Sequence, residues 1–477
     1  MTGDDSGHGD GDGEGAEHER CDCGAGVARR DFVRGCGAAM AFAAVGSSLG
    51  AAAEEADGDV AALLEDLPDN WGRWGEDDER GALNLLGSEE AYRGLTAALR
   101  GGDGGIEQFT LQLSMTGEVI NPDPDDPDTI FPPEDADEDD PQWPSTDTGD
   151  PAFPPRTPAR RDNTTPEGGS QLAGGVAFVD DKFVTEAFLQ GTTHLDALGH
   201  AWYGEQIYNG FDVETTEATK EFETPLLGTK GIDAVPDEGE ESCLSEVSET
   251  AGLEKADAGV AGSEGIAARA VLLDVGRHAE ASDEKGRLPL GYEVTLEDLR
   301  ATAEAQGVEV EQRDVLLIRT GSIARSRDPE AEWAPLDEPG LVFSEDLVEW
   351  IAERDVPYVG ADNLAVEKAV QTVDGDTYVI PLHGALLRDL GVYLNEILWL
   401  EDLGAACARD GIYDFLFVGA PLNVERASGS PINPLVLKET DHPKEDGRTG
   451  ADGGGDDVES DGDEEGDEDG SGDDGKH

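Results

Sequence analysis

The chain has 477 residues, with 108 acidic against 33 basic side chains and a formal net charge of −75. A surface of that sign repels polyanions, which excludes nucleic acid and anionic membrane surfaces as partners. Hydrophobic residues make up 37% of the chain, enough over its several hundred central residues to bury the core of one large domain or two smaller ones. The acidic residues also run through the middle of the chain, and the basic residues are mostly Arg. This pattern predicts a halophilic protein, kept soluble in high salt where screening removes most of the self-repulsion.

In chain order, residues 1–53 read as an acidic leader plus an address. After a Gly/Asp-rich start come Arg29-Arg30-Asp31-Phe32-Val33-Arg34, a modestly apolar stretch from Gly37 to Leu49, and Ala51-Ala52-Ala53. That order resembles a twin-arginine export signal, which predicts an extracellular or cell-surface protein. The alternative is a short buried helix after a chance Arg pair. A membrane span needs roughly 20 apolar residues, so no span is expected in the mature chain. Cys21, Cys23 and Cys36 fall in or before the signal, leaving Cys243 and Cys407 to pair or to remain buried thiols.

The main domain is expected over residues 54–437, interrupted from Asn121 to Glu167 by a Pro/Asp-rich surface insertion. Short β-branched apolar runs predict buried strands at Arg269–Val275, Val315–Thr320 and Phe415–Val418. Helices are predicted at Thr295–Ala305, where Asp298 follows Thr295 as a capping pair, and at Ser344–Glu353, with Glu345 and Asp346 in its first turn. Strands alternating with helices of this length indicate an α/β domain. From about Lys438 to residue 477 the chain is Asp, Glu and Gly with almost no apolar residue, which predicts a disordered acidic tail.

The chemistry is concentrated in Gln190-Gly191-Thr192-Thr193-His194-Leu195-Asp196-Ala197-Leu198-Gly199-His200. Of eight histidines in the chain, two lie here with a carboxylate between them. In an extended segment 194 and 196 share a face, and in a helix 196 and 200 do. A strand running into a helix at about Asp196 therefore aims all three side chains at one point. Imidazole nitrogen with carboxylate oxygen suits a divalent ion such as zinc or manganese. The blander alternative is a histidine pair at a helix start, with Asp196 as the N-cap.

This segment resembles the His-x-Gly-Thr-His-x-Asp-x-x-x-His signature of the cyclase family, which includes kynurenine formamidases and isatin hydrolases. Asn70-Trp71-Gly72-Arg73-Trp74-Gly75, Gly81-Ala82-Leu83-Asn84, Gly360-Ala361-Asp362-Asn363, Gly419-Ala420-Pro421-Leu422 and Gly429-Ser430-Pro431 are similar to further family segments in the family's order. So are Leu382-His383-Gly384-Ala385-Leu386-Leu387 and Tyr393-Leu394-Asn395-Glu396. The resemblance implies a single swivelling β/β/α-like domain with a central mixed sheet or barrel and surrounding helices. It also implies one or two divalent ions, zinc or manganese, per chain. In that reading His194 and Asp196 hold one ion, Asp196 bridges, His383 and Glu396 complete a second centre, and His200 carries protons. Gln190 departs from the family at the first ligand position, where an amide is a poorer ligand than imidazole. Thr192 replaces a Gly.

The activity implied is hydrolysis of an amide or lactone in a small carbonyl substrate by metal-activated water, with Trp71, Trp74, Trp202 and Tyr203 as a candidate aromatic wall. A homo-oligomer, dimer or tetramer, is expected. The competing reading is a cyclase-fold binding protein that keeps the fold without turnover. A P-loop is absent from the sequence, and Gly46-x-Ser48-x-Gly50 falls within the signal-like stretch and Gly470-x-Gly472-x-x-Gly475 in the acidic tail, so neither opens a strand–turn–helix unit as an elbow or a Rossmann fingerprint would.

Overall fold

The computed structural model describes residues 56, 58–100, 105–115, 189–225, 245–328, 330–334 and 337–440. It adds the strand backbones Arg161–Asn163, Ser170–Gln171, Ala177–Phe178 and Asp181–Phe183. The twin-arginine segment, Cys21, Cys23, Cys36, Cys243, most of the expected insertion and the chain beyond 440 lie outside the described residues.

One mixed nine-stranded sheet organises the domain. Its strands are β1 (Gly105–Thr110), β2 (His194–Asp196), β3 (Ile266–Asp274), β4 (Val315–Arg319), β5 (Tyr358–Ala361), β6 (Tyr393–Glu396), β7 (Asp414–Gly419), β8 (Gly429–Pro431) and β9 (Leu435–Thr440). The spatial order is β1-β9-β7-β3-β4-β5-β6-β2-β8. Strands β3 to β6 run parallel, and every other pairing is antiparallel. A parallel strand is covered on both faces, which is why Val315-Leu316-Leu317-Ile318 reads as an unbroken apolar run and is wholly buried. The three predicted strands correspond to β3, β4 and β7, and the mixed α/β architecture is the one the sequence predicts.

The helices cover this sheet with their apolar stripes. Helix α1 (Ser88–Ala98) lies across β3 and β7, and a Cβ on its Gly94 would stand 2.7 Å from the Ala268 carbonyl oxygen, so only glycine permits the approach. Helix α2 (Leu296–Gln306) opens with the expected capping box, in which Thr295 and Asp298 satisfy each other's backbone N–H. Such a cap is worth about 1 kcal/mol. Helix α3 (Glu345–Glu353) is capped by Ser344 and buries Leu347, Val348, Trp350 and Ile351, each contributing roughly 1.5–3 kcal/mol. Helix α4 (Glu401–Asp410) carries Cys407, a buried free thiol whose pKa burial pushes well up.

Two expectations need correction. The folded domain does not stop at 437: β9 continues to Thr440, and Lys438 is buried with its ammonium on Asp410 at 2.6 Å and 2.7 Å. The acidic composition hid this because Lys438 is satisfied by a partner outside its own segment. The second correction concerns Asp196, after which the chain forms a turn rather than a helix. Ala197 N–H donates to the Ser428 carbonyl and Gly199 N–H to that of Ala256, while His200 N–H donates to the Ala197 carbonyl three residues back, which closes a turn where a helix would direct it to Asp196. Gly199 is also wedged, since a Cβ there would stand 2.9 Å from the Leu253 side chain. Among the described residues no helix is long and apolar enough to cross a membrane.

Candidate metal centre

Strand β2 alternates its side chains, placing His194 and Asp196 on one face while Leu195 joins the hydrophobic core on the other. The antiparallel register sets Glu396 of β6 opposite His194, and Gly429 of β8 opposite Asp196. Two struts hold this pairing from behind. Asn395 Nδ2 donates to the His194 carbonyl and its Oδ1 accepts from Tyr358 Oη, while Thr193 Oγ1 donates to the Ile397 carbonyl at 2.6 Å and accepts from Leu113 N–H at 2.9 Å. His383 arrives from the turn Pro381–His383, which continues into the π-type helix Gly384–Leu390.

The side chains converge as follows. His194 Nε2 lies 3.4 Å from Asp196 Oδ1 and 3.2 Å from Glu396 Oε2. His383 Nε2 lies 3.9 Å from Asp196 Oδ2 and 3.3 Å from Glu396 Oε1. Each carboxylate thus has one oxygen toward each imidazole. His200 Nε2 stands 3.8 Å from Asp196 Oδ1, and at 21% side-chain exposure it is the most accessible of the five. The ligand atoms of His194, Asp196 and Glu396 all lie within 4.8 Å of one another.

Both Asp196 oxygens and Glu396 Oε1 are buried without a hydrogen-bond partner. Orphaned acceptors of this kind are expensive in a protein interior, and a cation between them removes the cost. The residues therefore fit a divalent ion. The electrostatics agree. Burial alone would lower the pKa of His194, but Asp196 and Glu396 outweigh it and lift the group to about 10. Burial likewise opposes His383, but the Glu367 carboxylate on its Nδ1 and the Glu396 carboxylate near its Nε2 raise it to about 10. Burial would raise Asp196, yet the imidazoles of His200 and His194 hold it below the usual carboxylate range. His200 is lowered, chiefly by burial.

Both candidate histidine ligands engage Nδ1 with the protein and present Nε2 to the carboxylates. His194 Nδ1 meets the Thr192 carbonyl at 2.7 Å, and His383 Nδ1 meets Glu367 Oε1 at 2.7 Å. Glu367 carries no signal in the sequence, where it looks like one more charge beside Lys368. Gln190, the expected ligand at the departure from the family motif, donates its Nε2 to Ser428 Oγ at 2.8 Å. A Cβ on Gly429 would come within 2.8 Å of that nitrogen, so the glycine makes room for the amide. The candidate aromatic wall is engaged in packing. Arg388 is stacked between Trp71 (4.6 Å) and Tyr203 (3.8 Å), Trp74 packs on Arg73, and Trp202 packs against the core.

The family model Cyclase ("Putative cyclase") matches residues 109–368, more than half of the chain. A crystal structure described as a novel cyclase is similar at 29% identity and a TM-score of 0.54, over 78% of this chain and 98% of that one. Isatin hydrolase A from Ralstonia solanacearum is similar at 18% identity and a TM-score of 0.40, over 72% and 96% of the two chains. A predicted metal-dependent hydrolase from Bacillus stearothermophilus is similar at 14% identity and a TM-score of 0.32, over 70% and 98%. No curated protein matches the chain in sequence. The chain belongs to the cyclase family.

Proposed function

We propose that the protein is a metal-dependent hydrolase that opens the C–N or C–O bond of an amide or lactone in a small carbonyl substrate. The observation that carries this reading is the pair of buried carboxylates, Asp196 and Glu396, whose orphaned oxygens face two histidine Nε2 atoms. His194, Asp196, His383 and Glu396 would hold zinc or manganese. A divalent ion supplies the positive charge that acidifies water and polarises a carbonyl. Asp196 and Glu396 hold compensating negative charge at the site's centre. His200, partly exposed and lowered in pKa by burial, can accept a proton at Nε2, then return it to the leaving nitrogen or oxygen.

Metal analysis beside turnover of an aryl formamide and an aryl lactone tests the reading. One or two equivalents of zinc or manganese with turnover support it, and a metal-free folded protein overturns it. The Gln190 amide in place of an imidazole favours a second reading, a binding protein that retains metal without turnover, which the same experiment separates. The order Arg29-Arg30-x-Phe32 and the charge of −75 also support export by the twin-arginine route and function in high salt. Normal export after Arg29→Lys with Arg30→Lys, or full stability in dilute buffer, would overturn these two points respectively.

A further inference from the structure

Outside the candidate ligands, the buried carboxylate with the most directed surroundings is Glu367. Its side chain is almost fully buried in the loop after β5, and its two oxygens divide their work. Oε2 accepts from Gln371 Nε2 at 2.6 Å and from Leu382 N–H at 3.0 Å. Oε1 accepts from His383 N–H at 2.8 Å and meets His383 Nδ1 at 2.7 Å. One carboxylate therefore grips both the backbone and the ring of the same histidine. The loops that bring the two residues together are held in unfavourable backbone. Val366, just before Glu367, has φ +57°, and Ile380, three residues before His383, has φ +42°. Left-handed backbone at β-branched residues is a true outlier and persists only where its surroundings over-determine it.

Resting on the metal-hydrolase reading of the site, we infer that Glu367 is a positioning residue that fixes the ring of His383 and the nitrogen it offers to a divalent ion. A carboxylate at Nδ1 can only accept, so it keeps a proton on Nδ1 and leaves the Nε2 lone pair to a cation. Nε2 is the atom that faces Asp196 and Glu396. A residue that merely capped the turn would need only the contacts to Leu382 and His383 N–H.

The test uses Glu367→Gln, which keeps the size of the side chain but leaves one accepting oxygen for four donors. Its amide NH₂, if turned to Nδ1, selects the opposite tautomer and removes the ligand lone pair. Gln371→Met is the control, because it loosens Glu367 through Oε2 without touching the imidazole. Cobalt(II) is titrated into each metal-free full-length protein in high salt and followed by its visible absorption, with thermal unfolding of the metal-free forms alongside. The expected result is cobalt affinity about 10–100-fold weaker in Glu367→Gln, with an altered absorption band, while Gln371→Met keeps the parental affinity. Parental affinity in a folded Glu367→Gln, or equal losses in both variants that track their loss of stability, overturns the inference and leaves the metal reading standing. A parent protein that binds no cobalt overturns the metal reading, and this inference with it.

Discussion

His194 and Glu396 face each other across the antiparallel pairing of β2 and β6, with Nε2 3.2 Å from Oε2. Side chains alternate with period two, so a slip of one residue in this register would turn His194 and Asp196 into the core and Leu195 into the site. The site thus depends on a pairing between segments about two hundred residues apart.

Metal retention and proton transfer should separate at Asp196 and His200. Asp196→Ala removes the carboxylate that faces both candidate histidine ligands and should abolish metal content and turnover together. His200→Ala leaves the four buried groups in place, so metal should be retained while turnover falls on the order of 10²–10⁴-fold. Metal content and single-substrate kinetics on both variants check this. Loss of metal from the His200 variant would make that residue a ligand.

Glu338 predicts a pH effect on stability. It accepts from Ser322 Oγ, Trp333 Nε1 and Leu364 N–H, and burial, the largest influence, pushes its pKa from 4.5 up to about 7. Between those values the folded state holds a proton that the unfolded chain has lost, so this group's contribution falls as pH rises from about 4.5 to about 7. Glu338→Gln should flatten the decline by at most about 1.4 kcal/mol per pH unit. Denaturant unfolding at pH 5 and pH 7 in constant salt measures it, and an unchanged slope would refute it.

Backbone strain at Ile380 should be separable from its packing. The residue has φ +42° and ψ +51° and is only partly buried, whereas Ile397, at φ +58°, is fully buried between Leu113, Ile323 and Leu364. Asn accepts left-handed backbone readily. Ile380→Asn should therefore match or exceed the parent in stability by about 0.5–1 kcal/mol, while Ile397→Asn should lose more than about 2 kcal/mol of packing. Thermal unfolding of the pair gives the contrast, and equal losses would show that no strain is relieved at 380.

Lys438 should behave as a buried charge rather than a tail residue. With the Lys438 ammonium on both Asp410 oxygens and on the Glu439 carbonyl, Lys438→Met leaves the buried Asp410 only the Ile412 N–H and an Arg409 guanidinium 3.9 Å away. That should cost about 3–5 kcal/mol, and adding Asp410→Leu should recover part of it. The double-mutant cycle is read by chemical denaturation in high salt, and additive losses would argue against a coupled pair.

Much of the fold was legible because its signals are local. The unbroken apolar runs of β3, β4 and β7 and the caps at Thr295 and Ser344 each arise within a few residues. The shared face of His194 and Asp196 follows from strand alternation alone. Helical spacing pointed to His200, the resemblance to the cyclase family then named His383 and Glu396 and gave His200 its role, and the structure brings all three to Asp196.

What the tertiary structure decided lies in contacts between distant segments. After Asp196 the Ser428 and Ala256 carbonyls anchor the N–H groups of Ala197 and Gly199, and the chain closes in a turn from His200 to Ala197. The place of Gln190 depended on Ser428 and on the missing side chain of Gly429. The role of Glu367 depended on a histidine sixteen residues away that its loop folds back to meet. Local pattern reports which face a side chain takes, because backbone geometry sets that residue by residue. Which partner it meets is set by sheet register and loop closure, and those follow from burying the whole core at once.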